Sequence, residues 1–262
     1  NKIITLRSSS SELFVKCCRQ ILLFACISIL TTGCDDGETK LTVENNEIYF
    51  LDTIATNRWT NYANEFEREQ ARNIITYSLS NTTGKKLLFV FDQLHPEPSL
   101  GVTSTTLHYG YLGFTVTDNN GKVQTPYPTA VTPVKMGDLF ECGLHEMEKR
   151  RDFYKRLGVG AGQFLDFDNY IRNSFIINPG ETRKFKALVH LPIVWERDNR
   201  TESGNISYID LKEGSEFQLF YYCKASALKS SLPKYILDDL AENEIEIFDG
   251  KLEASPVKLK KK

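Results

Sequence analysis

The chain contains few of the residues and motifs that form catalytic or metal-binding sites. Its 262 residues include two tryptophans, two methionines, six cysteines and four histidines (His95, His108, His145 and His190). No two histidines lie at the spacing of a metal site, and no Gly-x-Ser-x-Gly elbow is present. His145-Glu146 begins like a zinc-protease motif, but the second histidine is replaced by Lys149. The sequence therefore predicts no enzyme, no cofactor and no metal site.

An excess of positive charge is also missing, since the formal net charge is -2. Residues 1–33 carry four basic side chains and one acidic one, a net +3, which leaves the remainder of the chain at -5. Binding to nucleic-acid phosphates needs a basic surface, so no nucleic-acid partner is predicted. The basic cluster at the tail, Lys258 with residues 260–262, is interpreted as a solvated and frayed terminus.

A long hydrophobic run is missing too. Residues 21–30 are apolar except for Ser28, but ten residues are too few to cross a hydrocarbon core of ~30 Å, which needs roughly 20. A polar and basic stretch, residues 1–20, precedes them. A basic stretch followed by a short apolar run is typical of a signal peptide, and residues 1–33 are predicted to be one.

The apolar run ends in Leu30-Thr31-Thr32-Gly33-Cys34, which resembles the lipobox of bacterial lipoproteins. Leu30 lies four positions before Cys34, where the family usually has three. The resemblance implies cleavage before Cys34, acylation of Cys34 with chains such as palmitate, and anchoring in a lipid bilayer. A plain secretory signal and a free cysteine in an N-terminal helix are the alternatives.

An acidic run, Asp35-Asp36-Gly37-Glu38, follows the predicted anchor. It looks like the signal that sends lipoproteins of some Gram-negative lineages to the cell surface, and a polar tether is the alternative. We expect residues 34–47 to form a tether. The expected location is the outer membrane, on its periplasmic or cell-surface face.

Beyond the tether, short runs of β-branched and aromatic residues alternate with turn residues, a pattern typical of strands. Residues 73–80 and 85–91 flank the turn 81–84 and predict either a hairpin or two sequential strands of a sandwich. Further strands are predicted over 48–51, 111–117, 182–191 and 216–223, with residues 244–254 as a terminal hairpin. A short helix is expected within 231–243, beginning near Pro233.

About eight or nine strands favour a mostly β fold, a β-sandwich. The runs NPGETRKFKALVHLP and FTVTDNNGKV resemble turns and strands of immunoglobulin-like and fibronectin-like bacterial domains. The resemblance implies one immunoglobulin-like β-sandwich domain over residues 48–262. An amphipathic helix over about 136–158 interrupts the strands, and we expect it to cover an edge of the sandwich or to bind a partner.

Two cysteines, Cys142 and Cys223, remain in the body, and an exported location permits a disulfide between them. Two buried thiols are the alternative. A calcium site from Asp118, Asn119 and Asn120 fits by ligand type, but a hairpin turn explains the same residues. Four carboxylates could form a paired acid–base site but are too common to indicate one; they are Glu141, Glu146, Asp166 and Asp168.

Two surface features remain open. Asn81-Thr82-Thr83 matches an N-glycosylation sequon, which means little in a bacterial lipoprotein. Aromatic residues in loops and at strand ends could form a binding surface, but packing in the core and at sheet edges explains them better; they are Trp59, Tyr62, Tyr109, Tyr111, Tyr127, Trp195, Tyr208, Tyr221 and Tyr222.

Taken together, these features predict a membrane-anchored lipoprotein that acts as a non-enzymatic binding or assembly module for an unknown protein or glycan. An immunity or inhibitor lipoprotein of the periplasm and a carbohydrate-binding surface lipoprotein are the alternatives.

Overall fold

The computed structural model describes residues 37–51, 72–91, 95–99, 110–133, 148–199, 202–208 and 211–262. Their strands and helices belong to one compact unit, Glu38–Lys262. The strands are β1 (Thr39–Val43), β2 (Ile48–Phe50), β3 (Arg72–Asn81), β4 (Lys86–Val90), β5 (Glu97–Pro98), β6 (Tyr111–Thr117), β7 (Val123–Gln124), β8 (Tyr127–Pro133), β9 (Ser174–Ile177), β10 (Thr182–His190), β11 (Ile193–Asn199), β12 (Glu202–Ser207), β13 (Glu216–Cys223), β14 (Ile245–Ile247), β15 (Gly250–Glu253) and β16 (Val257–Lys261). The helices are α1 (148–156), a 3₁₀ turn (Ala161–Gln163), α2 (Phe164–Asn173), α3 (Ala225–Ser231) and α4 (Lys234–Glu242).

The described strands form several sheets, so the fold is mostly β, as the sequence predicts. One sheet has the order β1-β3-β10, a second β14-β4-β9 and a third β11-β12-β8. The fourth has the order β2-β16-β13-β6-β5, with β15 also paired to β13 and β7 to β6. Most pairs are antiparallel, but β14 on β4, β16 on β2 and β5 on β6 are parallel.

The chain changes sheets between β3 and β4. The hairpin interpretation of residues 73–91 is wrong, and the alternative of two sequential strands is the one observed. β3 has β1 on one side and β10 on the other, so no edge of β3 is left for β4. β4 pairs instead with β9 and β14. We call residues 81–85 the first corner.

A second corner, residues 178–181, joins β9 to β10 in the same way, because β9 pairs with β4 and β10 with β3. The predicted turn is confirmed: the amide of Glu181 donates to the carbonyl of Asn178 at 3.0 Å, and Gly180 has φ +75°. The left-handed region favours glycine because it lacks a Cβ. The predicted strand after the turn is also confirmed, with Ala187 and Val189 buried.

Aromatic side chains join three of the sheets into one core. The ring of Phe91, just after β4, lies 5.3 Å from that of Phe185 on β10 and 5.6 Å from that of Tyr221 on β13. Phe89 on β4 lies 5.5 Å from Tyr221. Full burial of one such side chain contributes about 1.5–3 kcal/mol. The contacts between these rings therefore hold the sheets together.

The C-terminal part of the chain differs from the prediction. Residues 244–254 do not form a hairpin, because β14 pairs with β4 and β15 pairs with β13. Residues 257–261 are not frayed: they form β16, in which Val257 and Leu259 are buried. The exposed lysines of β16 alternate with these buried residues, as a half-buried strand requires.

Residues 148–156 are helical, and the rest of the predicted helix, 136–147, lies outside the described residues. The hydroxyl of Tyr154 donates to Asp168 of α2 at 3.0 Å, and its ring packs edge-on against Phe167 at 4.9 Å. Gly158, with φ +79°, follows the helix and permits a left-handed C-terminal residue. These contacts fix α1 on α2.

Three stretches that are polar or contain prolines form strands. Thr39–Val43, within the predicted tether, pairs with β3 as β1. Pro128 and Pro133 lie in β8, which is at the edge of its sheet. An edge position tolerates proline because a missing amide hydrogen costs no ladder bond there. The polar stretch 198–205 is likewise shared by β11 and β12.

Candidate functional site

A groove of about 770 Å³ opens between α4 and the strands β4 and β14. This volume lies within the range of small-ligand sites, ~300–1,000 Å³. The lining combines an apolar floor with a charged rim; its residues are Gly84, Lys85, Lys86, Pro179, Lys229, Leu237, Leu240, Ala241, Glu244, Ile245, Glu246 and Ile247. We call it the α4 groove.

The floor of the α4 groove follows from the amphipathic pattern of α4. Leu237 and Leu240 recur at helical spacing and pack against the core, with Leu240 buried. Ile245 and Ile247 come from β14, whose parallel pairing with β4 brings it under the helix. The helix is the one predicted near Pro233, which is its N-cap.

The rim of the groove carries three lysines and two glutamates. Lys85 Nζ lies 2.9 Å from Glu246 Oε1, with both side chains more than half exposed. Lys86 Nζ donates to the carbonyl of Asn243 at 2.9 Å. The ammonium of Lys229 and the carboxylate of Glu244 have no hydrogen bond or ion pair with any residue that the structure describes.

Glu244 holds an unusual backbone conformation. Its φ is +57°, in the left-handed region, and it is the one residue other than glycine with positive φ among the described residues. Glu244 follows the C-terminus of α4, and its amide donates to the carbonyl of Ala241 at 3.1 Å. Glycine or asparagine is common at such a position because a Cβ is disfavoured there.

The predicted anchor and disulfide stay predictions. Cys34 and Cys142 lie outside the described residues. Cys223 is buried at the end of β13, and burial raises the pKa of its thiol to about 11. A thiol with so high a pKa is a poor nucleophile near neutral pH.

The two described carboxylates of the predicted acid–base set are engaged in helix packing. Asp166 accepts a hydrogen bond from the Ser231 hydroxyl at 2.7 Å, which links α2 to α3. Asp168 accepts from Tyr154 on α1. Glu141 and Glu146 lie outside the described residues.

The predicted turn after β6 is confirmed as a hairpin, since β6 and β7 pair antiparallel. Asp118 Oδ1 accepts hydrogen bonds from the amides of Lys122 and Asn120, each at 2.9 Å. These amides lower the pKa of the Asp118 carboxyl. Asp118 is therefore used by the turn, and within the described ranges no group of three or more His, Cys, Asp or Glu side chains could hold a metal ion.

Some of the predicted aromatic surface belongs to the core. Tyr208 and Tyr221 are buried, and the Tyr221 hydroxyl donates to the carbonyl of Val90 at 3.0 Å. Tyr111 is half-buried, and its hydroxyl donates to the carbonyl of Pro98 at 3.3 Å. Tyr222 is half-buried. The remaining candidates lie outside the described residues or the described side chains; they are Trp59, Tyr62, Tyr109, Tyr127 and Trp195.

Two further sequence candidates have structural roles. Asn81 of the sequon is completely buried, and its side-chain nitrogen donates to two backbone carbonyls, so it is inaccessible to glycosylation in the folded state. The Nδ1 atom of His95 accepts a hydrogen bond from the amide of Leu188 at 3.3 Å. His95 thereby satisfies a backbone donor on β10, an edge strand of its sheet.

Comparison with known proteins assigns the chain to no family. No family model, no curated protein and no solved structure matches the chain. No helix among the described residues is both long and apolar enough to span a bilayer.

The α4 groove could not be found from the sequence. Its lining comes from the first corner, the second corner, α3, α4 and β14, which the sequence separates by up to ~160 positions. The one available signal was the helix near Pro233 with apolar residues at helical spacing.

Proposed function

We propose that the protein is a lipoprotein of the bacterial envelope, anchored through acylated Cys34, and that its β-rich body binds another macromolecule without catalysing a reaction. The observation that carries this proposal is the sequence Leu30-Thr31-Thr32-Gly33-Cys34 directly after a ten-residue apolar run. The compact unit that holds the described strands begins at Glu38, four residues after Cys34 in the sequence.

We propose that this body is an immunoglobulin-like β-sandwich with a helical insertion that includes α1. Two features support this architecture. The first and second corners each carry the chain from one sheet to another, and the sheets that contain β3, β4 and β13 share one aromatic core. Sandwiches bury the facing sides of two sheets in this way.

Metabolic labelling with an alkyne-bearing fatty acid tests the anchor. The full chain should incorporate the label, and Cys34→Ala should abolish incorporation and leave an unprocessed or soluble form. Cys26→Ala, which changes a cysteine inside the apolar run, is the matched control and should label normally. Undiminished labelling of Cys34→Ala would disprove the anchor.

Affinity purification tests the binding role. The anchored protein, solubilised from envelopes in detergent, should retain a stoichiometric partner that survives washing and that is absent from a mock purification. Recovery of the protein alone under several detergents would contradict the assembly role.

A second candidate, an immunity or inhibitor lipoprotein that occludes a target, is favoured by α1. The segment 148–157 carries five basic and two acidic side chains, while the chain after residue 33 is net acidic. Phe153 and Leu157, one helical turn apart, are 51% and 41% exposed. An exposed apolar pair at the end of a basic helix suits an acidic partner groove. Phe153→Asp should then abolish inhibition of the target and leave lipidation intact.

A further inference from the structure

The α4 groove opens at the corner where the chain arrives from the proposed anchor. The carbonyl of Glu38 accepts hydrogen bonds from the amide and the hydroxyl of Thr82, at 3.1 and 2.8 Å. Thr82 lies in the first corner, and Gly84 to Lys86, which follow it, line the groove. Glu38, which directly precedes β1, and the mouth of the groove therefore share one corner.

The stretch from Cys34 to Glu38 is too short to move this corner far from a membrane. Cys34 and Glu38 are four residues apart, and an extended chain gains at most ~3.6 Å per residue, so the reach is about 14 Å. An acylated Cys34 would hold the first corner within that distance of the lipid headgroups. This step rests on the proposed anchor.

The charges on the rim and the apolar side chains of the floor complement a phospholipid headgroup and the hydrocarbon next to it. Lys86 and Lys229 supply ammonium groups suited to a phosphate, and Glu244 supplies a carboxylate suited to a cation. Beneath them lies the apolar floor that includes Leu237 and Leu240. One groove thus offers partners to both charges of a zwitterion and to the hydrocarbon attached to it.

We propose that the α4 groove binds a phospholipid of the anchoring membrane with a zwitterionic ethanolamine headgroup. Its phosphate meets Lys86 and Lys229, its ammonium meets Glu244, and its first methylene groups lie on the apolar floor. An anionic headgroup such as phosphatidylglycerol would leave the Glu244 carboxylate without a cation. A choline headgroup would bring a cation that cannot donate a hydrogen bond.

The backbone of Glu244 supports this assignment. A left-handed conformation is disfavoured for a residue other than glycine because of its Cβ, and such residues cluster at binding and active sites. The strained conformation holds a carboxylate at the rim, where glycine would be less costly for the fold. A role in ligand binding explains why a charged side chain occupies this position.

Native mass spectrometry of the mature full-length protein, recovered from membranes in detergent, tests the proposal. The protein is incubated with equal amounts of phosphatidylethanolamine, phosphatidylglycerol or phosphatidylcholine. We expect each protein molecule to retain one phospholipid, and we expect the fraction with bound lipid to be highest for phosphatidylethanolamine. Glu244→Gln should lower the occupancy of the groove by phosphatidylethanolamine about fivefold, the size of one exposed ion pair. It should not lower the occupancy by phosphatidylglycerol. Lys229→Gln should lower occupancy by all three lipids.

Lys186→Gln is the matched control, because Lys186 is an exposed lysine outside the groove, and it should retain lipid normally. Equal occupancy in Glu244→Gln and the unchanged protein, equal binding of the three lipids, or no retained lipid would overturn the proposal. The mass of the N-terminal peptide in the same sample reports the anchor separately. An acylated Cys34 with an empty groove refutes the lipid site alone, whereas an unmodified Cys34 refutes the anchor.

Discussion

The side-chain nitrogen of Asn81 donates a hydrogen bond to the carbonyl of Ile177 at 2.9 Å and so links the end of β3 to the end of β9. The same nitrogen donates to the carbonyl of Lys85 at 2.7 Å. Its backbone adds two bonds to the second corner: the Asn81 amide donates to Glu181 at 3.0 Å, and the amide of Gly180 donates to the Asn81 carbonyl at 2.7 Å. One buried residue therefore holds the two corners side by side.

Asn81→Ala should destabilise the protein strongly. The substitution leaves the buried carbonyl of Ile177 without this donor, and each unsatisfied buried group costs about 1–3 kcal/mol. We expect urea denaturation to show a loss of about 2–4 kcal/mol in the free energy of unfolding. Asn120→Ala, at an exposed position in the turn after β6, should change it by less than about 0.5 kcal/mol. A loss for Asn81→Ala as small as that of the control would contradict this role.

Tyr221→Phe isolates the bond that joins β13 to the end of β4. The variant keeps the ring in the aromatic core and removes the hydroxyl that donates to Val90, so the expected loss is about 1–2 kcal/mol. The neighbouring Tyr222→Phe is a close control because Tyr222 is half-buried and its hydroxyl has no partner among the described residues. Thermal unfolding of both variants gives the comparison, and equal melting temperatures would show that the Val90 bond contributes nothing.

Because of Glu181, the stability of the second corner should depend on pH and decrease in acid. The amide of Asn178 and the side chain of Arg183 lower the pKa of the Glu181 carboxyl from 4.5 to about 2. Because the folded-state pKa is depressed, the stabilisation is complete above the unfolded value and is lost as pH falls towards the folded value. The melting temperature of Glu181→Gln should therefore be lower than that of the unchanged protein at pH 6, and the two melting temperatures should approach each other near pH 2.

Glu244→Gly should separate stability from binding at the α4 groove. Glycine adopts positive φ without the strain of a Cβ, and it should raise the free energy of unfolding by about 0.5–1 kcal/mol. The same change removes the carboxylate that the proposed ethanolamine site uses. Glu242→Gly, inside the last turn of α4, should instead destabilise by about 0.5–1 kcal/mol. Urea denaturation measures both variants, and a loss of stability in Glu244→Gly would contradict the strain argument.

Local patterns were enough to predict several elements. Runs of β-branched and aromatic residues predicted β6, β10 and β13, and turn residues predicted the second corner and the hairpin after β6. Proline near the start and apolar residues at helical spacing predicted α4. These signals act within a few residues, where the conformational preferences of proline, glycine and branched side chains decide the backbone.

Strand partners were decided by the tertiary structure. Residues 73–91 satisfy the pattern of a hairpin, yet β3 is enclosed by β1 and β10, and Asn81 ties its end to the second corner. The lysine-rich end of the chain looks like a solvated tail, yet Leu259 is buried and β16 pairs with β2 and β13. Strand pairing depends on contacts between residues that are far apart in the chain, and a local sequence pattern does not predict such contacts.

The sequence by itself determined several strand-forming segments, two turns and the candidate anchor at Cys34, because each depends on neighbouring residues. Only the tertiary structure decided that Asn81 is a buried clamp between two corners and that Lys86, Lys229 and Glu244 share one groove. The physical reason is burial and distance: a side chain acquires its role from the groups that folding places around it.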